Sequence, residues 1–266
     1  MSAPIVMIHG AFAGGWCFQN FAGVLDAHGW TCHAPNLRYH EPAQIAQPDP
    51  RLAQTSIADY TADMARMLLS LPDKPVLMGH SMGGVIAQQL AARGLARALV
   101  LLASCAPSGI LPSSAEERAV AMGLMSAGAF WTQVLHPVFE VAVNDSLASL
   151  DPAAQRQVFD RLGAESGRAL FEVFFWMFDG NRTTEVDASK VTCPVLVIAG
   201  SQDKVISPAT GRQIAARYGE RATFHEAAHE VAHVAAHEVE GHGHFLLLEP
   251  GWETVAQRCA DWLAKV

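Results

Sequence analysis

Pro75-Val76-Leu77-Met78-Gly79-His80-Ser81-Met82-Gly83-Gly84 is the stretch that decides the fold. An apolar run leads into Gly-x-Ser-x-Gly, and residues 85–93 continue in a helical pattern. A buried strand that ends, and a helix that begins, within a few residues leave the serine between them on a tight turn with its hydroxyl outward. Glycines flank it because side chains there would collide with the neighbouring strand and helix, and the turn residue needs an unusual backbone conformation. A bare Gly-x-Ser-x-Gly is a weak signal. The strand before it and the helix after it strengthen it against the alternative of a glycine-rich turn with an idle serine.

Outward from this point, short apolar runs alternate with helical patterns. Ile5–Ile8 and residues 31–34, 76–78, 98–103, 194–199 and 222–224 read as strands, several of them apolar throughout. Strands of that kind are buried on both faces, as in a parallel sheet flanked by helices. Residues 16–28, 57–71 (capped by Thr55 or Ser56), 85–93 and 251–264 read as helices. The alternation predicts an α/β, doubly wound, mostly parallel sheet of about six strands. Residues 107–190 break the rhythm. They contain no convincing strand and four helical patterns, at 114–125, 130–143, 152–162 and 166–178. We expect a core of residues 1–106 and 191–266 with 107–190 inserted as a helical cap. Ligands of open α/β sheets bind at the carboxyl ends of the strands, where such a cap would sit.

The chain has 266 residues, half of them hydrophobic, enough for one large domain. The net charge is −8 with no basic stripe, which argues against nucleic acid and anionic membrane surfaces as partners. No apolar run is long enough to span a bilayer. Met1-Ser2-Ala3-Pro4 lacks the basic and apolar regions of a secretory signal. The five scattered cysteines show no C-x-x-C spacing and read as buried thiols in a reducing compartment, so the expected location is cytoplasmic.

A serine becomes a useful nucleophile when a histidine accepts its proton, a carboxylate holds that histidine in the right tautomer, and backbone donors meet the oxyanion. Asp203, in Gly200-Ser201-Gln202-Asp203 just past an apolar strand, is the candidate carboxylate; the alternative is a polar turn residue. His244 is the candidate base, in Gly243-His244-Phe245, with His242 as its competitor. The backbone N–H groups of Met82 and Ala11 are the expected oxyanion donors, with Phe12 as the alternative to Ala11. Phe12, Trp131, Phe175 and Trp176 are candidates for an apolar substrate pocket, although each could equally pack the insertion onto the core. Asn36-Leu37-Arg38-Tyr39-His40 reads as an exposed loop, with Arg38 or His40 at the mouth of the site as the alternative.

Four motifs in this order resemble the α/β-hydrolase superfamily, over nearly the whole chain and from the family's third strand onward. His9-Gly10-Ala11 with Trp16 resembles its oxyanion loop, Gly79 to Gly84 its nucleophile elbow, Gly200 to Asp203 its acid loop, and Gly243-His244-Phe245 with Leu248-Glu249-Pro250 its histidine loop. The resemblance is greatest to small cofactor-free esterases, whose relatives include methyl esterases, hydroxynitrile lyases and perhydrolases. It implies ester hydrolysis through an acyl-enzyme, no cofactor, and a small apolar or aryl ester as partner. Two alternatives stay open on the same residues: cofactor-free perhydrolase or haloperoxidase chemistry, and C–C or cyanohydrin cleavage. Hydroxynitrile lyases usually carry a hydroxyl residue where this chain has Gly10, which weighs against the latter. A homodimer is open beside a monomer.

One tract falls outside this scheme. Residues 227–234 and 235–242 form a tandem near-repeat, and His225, His229, His233 and His237 recur every four residues. Two overlapping stretches match H-E-x-x-H, the zinc-protease pattern. A duplicated surface helix, a zinc site and a zinc hydrolase centre are the three readings. No third ligand is evident outside the tract, and we expect the first.

Overall fold

The computed structural model describes residues 3–227 and 241–266. Its main sheet has six strands: β1 (Ile5–Ile8), β2 (Cys32–His33), β3 (Val76–His80), β4 (Ala98–Leu102), β7 (Val195–Gly200) and β8 (Ala222–Ala227). They lie in the order β2-β1-β3-β4-β7-β8, every pairing parallel. Strand residues alternate between faces. Val6, Ile8, Leu77, Leu99 and Val197 belong to one buried cluster, and Ile5, Met7, Val76, Val100 and Leu196 to the other. Helices α2 (Ile57–Leu69), α3 (Met82–Ala92) and α8 (Pro208–Ala216) close the first face, and α1 (Gln19–Ala27) and α9 (Trp252–Leu263) close the second. Ser56 caps α2 with a capping box: its side chain accepts from the backbone while Asp59 reaches back to the Ser56 N–H.

Between β4 and β7 lie helices α4 (Ala115–Met125), α5 (Phe139–Asn144), α6 (Pro152–Phe159) and α7 (Gly167–Phe174). This segment is not free of strands. β5 (Val134–Leu135) and β6 (Glu165–Ser166) pair antiparallel, Val134 opposite Ser166 and Leu135 opposite Glu165. The helix expected over 130–143 is therefore a short 3₁₀ turn, a strand and a short α-helix. Pro137 explains the break: it lacks an N–H and disfavours helical geometry at His136. Glu165-Ser166, expected near the start of a helix, instead form the ribbon that precedes it. All five cysteines are free. Among the described residues no helix is long and apolar enough to cross a membrane.

Candidate active site

Ser81 sits between β3 and α3 with φ 51° and ψ −122°. That conformation is strained for a non-glycine residue and persists only when its surroundings over-determine it. They do. The Ser81 N–H donates to Leu102 O at 3.1 Å, and its own carbonyl accepts from Gly84 N at 2.9 Å and Cys105 N at 2.9 Å. The turn also depends on missing side chains. A Cβ on Gly83 would come within 2.1 Å of Ile8 O, and one on Gly10 within 2.8 Å of Ser81 Cβ. The neighbouring Cys105 Sγ lies 3.6 Å from Ser81 Oγ, and burial pushes its thiol up to about 12, so it stays protonated.

Two loops at the carboxyl ends of the strands complete a line of polar groups. Asp203 follows β7, and its Oδ1 accepts the backbone N–H groups of Val205 at 2.8 Å and Ile206 at 2.9 Å. Its Oδ2 lies 2.9 Å from His244 Nδ1, and His244 Nε2 lies 2.9 Å from Ser81 Oγ. A carboxylate only accepts, so Nδ1 carries the proton and Nε2 presents its lone pair to the serine hydroxyl. All three side chains are nearly inaccessible to solvent. The ring of His242 does not take this place; its carbonyl accepts from Gln202 N at 2.9 Å. The backbone of His244 is held in turn by His80, whose Nε2 donates to His244 O at 2.8 Å. Burial and the neighbouring His244 push His80 down to about 3, so it is a neutral strut.

The loop after β1 supplies a second polar feature. Burial, and then His40, push His9 down to about 3. Its Nε2 accepts the Leu37 N–H at 3.0 Å, so Nδ1 carries the proton and donates to Gly10 O at 2.8 Å. In a planar trans peptide the carbonyl and the following N–H point in opposite directions. Fixing Gly10 O therefore fixes Ala11 N–H on the other side, and Gly10 itself packs on Ser81. Met82 N–H opens α3, where the first amides of a helix have no partner within it. Among the described residues neither amide has an acceptor. The Phe12 N–H does: it donates to Glu165 Oε2 at 3.3 Å. Of the two amides that the sequence left as alternatives, the Phe12 N–H is thus already engaged.

Phe12 and Ala11 pack on an aromatic cluster of the insertion that contains Phe130, Leu170 and Phe175. Phe171 stacks on Phe175 with centroids 6.0 Å apart. Trp131 meets Phe130 and Phe171 at this cluster's rim and is itself 38% exposed. Trp176 is not part of the cluster and donates from Nε1 to Ile110 O at 3.2 Å.

Sequence reasoning missed a buried polar group beside this cluster. His40 is not in an exposed loop: it is 8% accessible, and its Nε2 lies 3.1 Å from Glu165 Oε2. Burial pushes the His40 imidazole down, but the Glu165 carboxylate more than offsets this and carries it above the ordinary histidine value. Burial likewise opposes the Glu165 charge, and His40 with its other donors brings it below the ordinary carboxylate range. Arg38 pairs with Asp63 and Asp59 instead of facing the site. Of the four histidines that recur every four residues, only the backbone of His225 is described, within β8; His229, His233 and His237 lie outside the described residues, so the metal reading does too.

A strained serine at the end of a parallel strand, a histidine and a carboxylate in line with it, and helices on both sheet faces define an α/β-hydrolase. The model of the Alpha/beta hydrolase family matches residues 5–258, and the chain belongs to that family. A pyrethroid hydrolase of Sphingobium wenxiniae is 33% identical over 87 residues; the match covers 33% of this chain and 30% of that protein. Among solved structures, methylesterase MES16 from Arabidopsis superimposes with a TM-score of 0.71 at 15% identity, all of both chains being covered. A monoacylglycerol lipase of Paleococcus ferrophilus gives 0.70 at 20% identity, over 100% of this chain and 96% of that one. These likenesses are of fold.

Proposed function

We propose that this protein is a serine-dependent carboxylic-ester hydrolase. The observation that carries the reading is the unbroken line from Asp203 Oδ2 through both nitrogens of His244 to Ser81 Oγ, two contacts of 2.9 Å each. The methylesterase and the monoacylglycerol lipase lend support, since both names denote ester cleavage.

In this reading Ser81 Oγ attacks the ester carbonyl while its proton passes to His244 Nε2. The Ala11 and Met82 N–H groups face the oxyanion that forms. The tetrahedral adduct then collapses, and the alcohol leaves with the proton from His244. A water, deprotonated by His244, attacks the acyl-enzyme, releases the carboxylic acid and restores Ser81. Asp203 holds the tautomer and offsets the imidazolium charge. The insertion, residues 107–190, serves as the cap, and Phe12, Phe175 and the rim residue Trp131 favour a small apolar or aryl ester. Trp176 has weaker support as a substrate contact, being anchored to Ile110. Gly10 leaves no side-chain hydroxyl beside Ser81, which weighs against cyanohydrin cleavage. Five unpaired cysteines favour a reducing, cytoplasmic setting.

The test is hydrolysis of a panel of p-nitrophenyl esters, with stoichiometric labelling by a fluorophosphonate. Ser81→Ala should lose both, with kcat down roughly 10⁶-fold. Hydrolysis undiminished in that variant would overturn the proposal.

A further inference from the structure

Glu165 is a buried carboxylate with four donors outside the line of Ser81, His244 and Asp203, and the acyl-transfer scheme gives it no task. It lies in β6, wholly inaccessible to solvent. Its Oε1 accepts from Tyr60 Oη at 2.7 Å and from Ser166 N at 2.7 Å. Its Oε2 accepts from His40 Nε2 at 3.1 Å and from Phe12 N at 3.3 Å. Four donors on one carboxylate offset the cost of burying it, and His40 supplies the opposite charge. The other nitrogen of His40 faces Arg38 O at 2.9 Å. Both nitrogens therefore face acceptors, as an imidazolium requires.

The arrangement converges on one backbone turn. Phe12 has φ 62°, a left-handed conformation that a bulky residue adopts only under constraint. The constraint comes from the insertion at both ends of the residue. Gly163 N donates to Phe12 O at 2.8 Å, and Glu165 accepts the Phe12 N–H. On the other side of Ala11, His9 holds Gly10 O and packs on His40 with ring centroids 5.1 Å apart. Ala11 is thus flanked by two held peptide groups: its own N–H belongs to the one fixed by His9, which packs against His40, and the next, carrying the Phe12 N–H, is fixed by Glu165.

We propose that Glu165 is a positioning residue for the oxyanion loop: it reaches across from the insertion to hold Phe12, and through Phe12 it aims the Ala11 N–H at the reacting carbonyl. This rests on the esterase reading above. It means that the oxyanion hole is complete only while the insertion is seated. Donors of this kind act on the transition state more than on the bound ester. Loss of Glu165 should therefore appear in kcat and not in KM.

The test uses Glu165→Asp, which keeps the charge but draws the acceptor back by one methylene from an N–H already 3.3 Å away. We expect kcat to fall about 10-fold or more with KM within about 3-fold. Inhibition by a trifluoromethyl ketone, which forms a tetrahedral adduct on serine, should weaken by the same factor as kcat/KM, while inhibition by the product acid should not change. Glu172→Gln is the control. Glu172 is a second buried carboxylate of the insertion, bound to Ser56 Oγ at 2.8 Å and Ile57 N at 2.8 Å, and has no bond to the oxyanion loop. It should lower the melting temperature and leave kcat within about 2-fold. Unchanged kcat and ketone inhibition in Glu165→Asp would overturn the proposal, as would equal loss of kcat in both variants. Glu165→Gln carries the same expectation if the aspartate variant does not fold: two backbone N–H groups sit on opposite oxygens, and a carboxamide can accept only one. Wild-type hydrolysis abolished by Ser81→Ala is established first. Its absence refutes the esterase reading, whereas its presence with an unimpaired Glu165→Asp refutes only this inference.

Discussion

Where the sheet meets Ser81, position is set by excluding side chains. Gly83 lies so close to the end of β1 that a Cβ would come within 2.1 Å of Ile8 O, and a Cβ on Gly79 would come within 2.5 Å of Gly83 O. In the insertion, position is set by buried charge. Glu165 gathers Tyr60, His40 and Phe12, and Glu172 gathers Ser56, Ile57 and Arg168. The two devices differ in tolerance. A glycine contact fails as soon as any Cβ is added, whereas a charged group can lose one of several partners and keep the rest. They also differ in reach: the glycines act where backbones already touch, Gly79 on Gly83 and Gly83 on Ile8, and the carboxylates extend a side chain to segments more than a hundred residues away.

The largest expected effect tests whether the chemistry at the sheet end is as exacting as its packing. Asp203→Asn keeps an oxygen for the Val205 and Ile206 amides but turns an NH₂ toward His244 Nδ1, forcing the wrong tautomer. We expect kcat/KM for a p-nitrophenyl ester to fall by about 10³ to 10⁴, with little change in melting temperature. A loss below about 10-fold would show that the position of His244 does not depend on the carboxylate.

The second is a matched pair of glycine substitutions. Gly83→Ala drives a Cβ into backbone and should cost about 3 kcal/mol or more, or prevent folding. Gly123→Ala, in α4 of the insertion with nothing within 4 Å, should raise stability by about 0.5–1 kcal/mol. Urea denaturation of the two variants measures both. Similar values would mean that the contrast between the regions is not steric.

The same contrast explains what could be read from sequence. The residues from Gly79 to Gly84, with the apolar strand before them, are contiguous and therefore legible as a motif, although Gly83 and Gly84 answer to Ile8 and Ser104 elsewhere in the chain. The acid and histidine loops are legible because each directly follows or precedes a regular element, β7 or α9. That the Phe12 N–H is already engaged needed the fold, because its acceptor Glu165 lies more than a hundred residues away. His40 was legible only as an alternative at the mouth of the site, and Glu165 and Tyr60 left no trace, since nothing in a single sequence links positions 40, 60 and 165. The ribbon of β5 and β6 was missed for a related reason. Two residues per strand are too few to show alternation, and the apolar side chains around them suit a helix equally well.

Glu249 is the exception that sharpens the comparison, a buried charge at the sheet end with poor support. Gly243 N donates to its Oε2 at 2.6 Å, while Oε1 is buried without a partner among the described residues. Burial, reinforced by Asp203, pushes its carboxyl up to about 7 from 4.5. The folded state therefore holds a proton that the unfolded chain has already released in this range. The resulting stability is fully present below about pH 4.5 and is lost as pH rises through about 7. A shift of this size corresponds to at most about 3 kcal/mol. Glu249→Gln keeps an acceptor for Gly243 and removes the titration, so the fall in unfolding free energy between pH 5 and pH 8 should shrink in the variant. Glu165, held by four donors and a cation, gives the opposite dependence: its folded value is depressed, so its contribution is present above the ordinary carboxylate range and lost on acidification. Equal pH slopes in wild type and Glu249→Gln would place both carboxylates in the same class and remove the distinction between a charge that organises its surroundings and one that is merely enclosed by them.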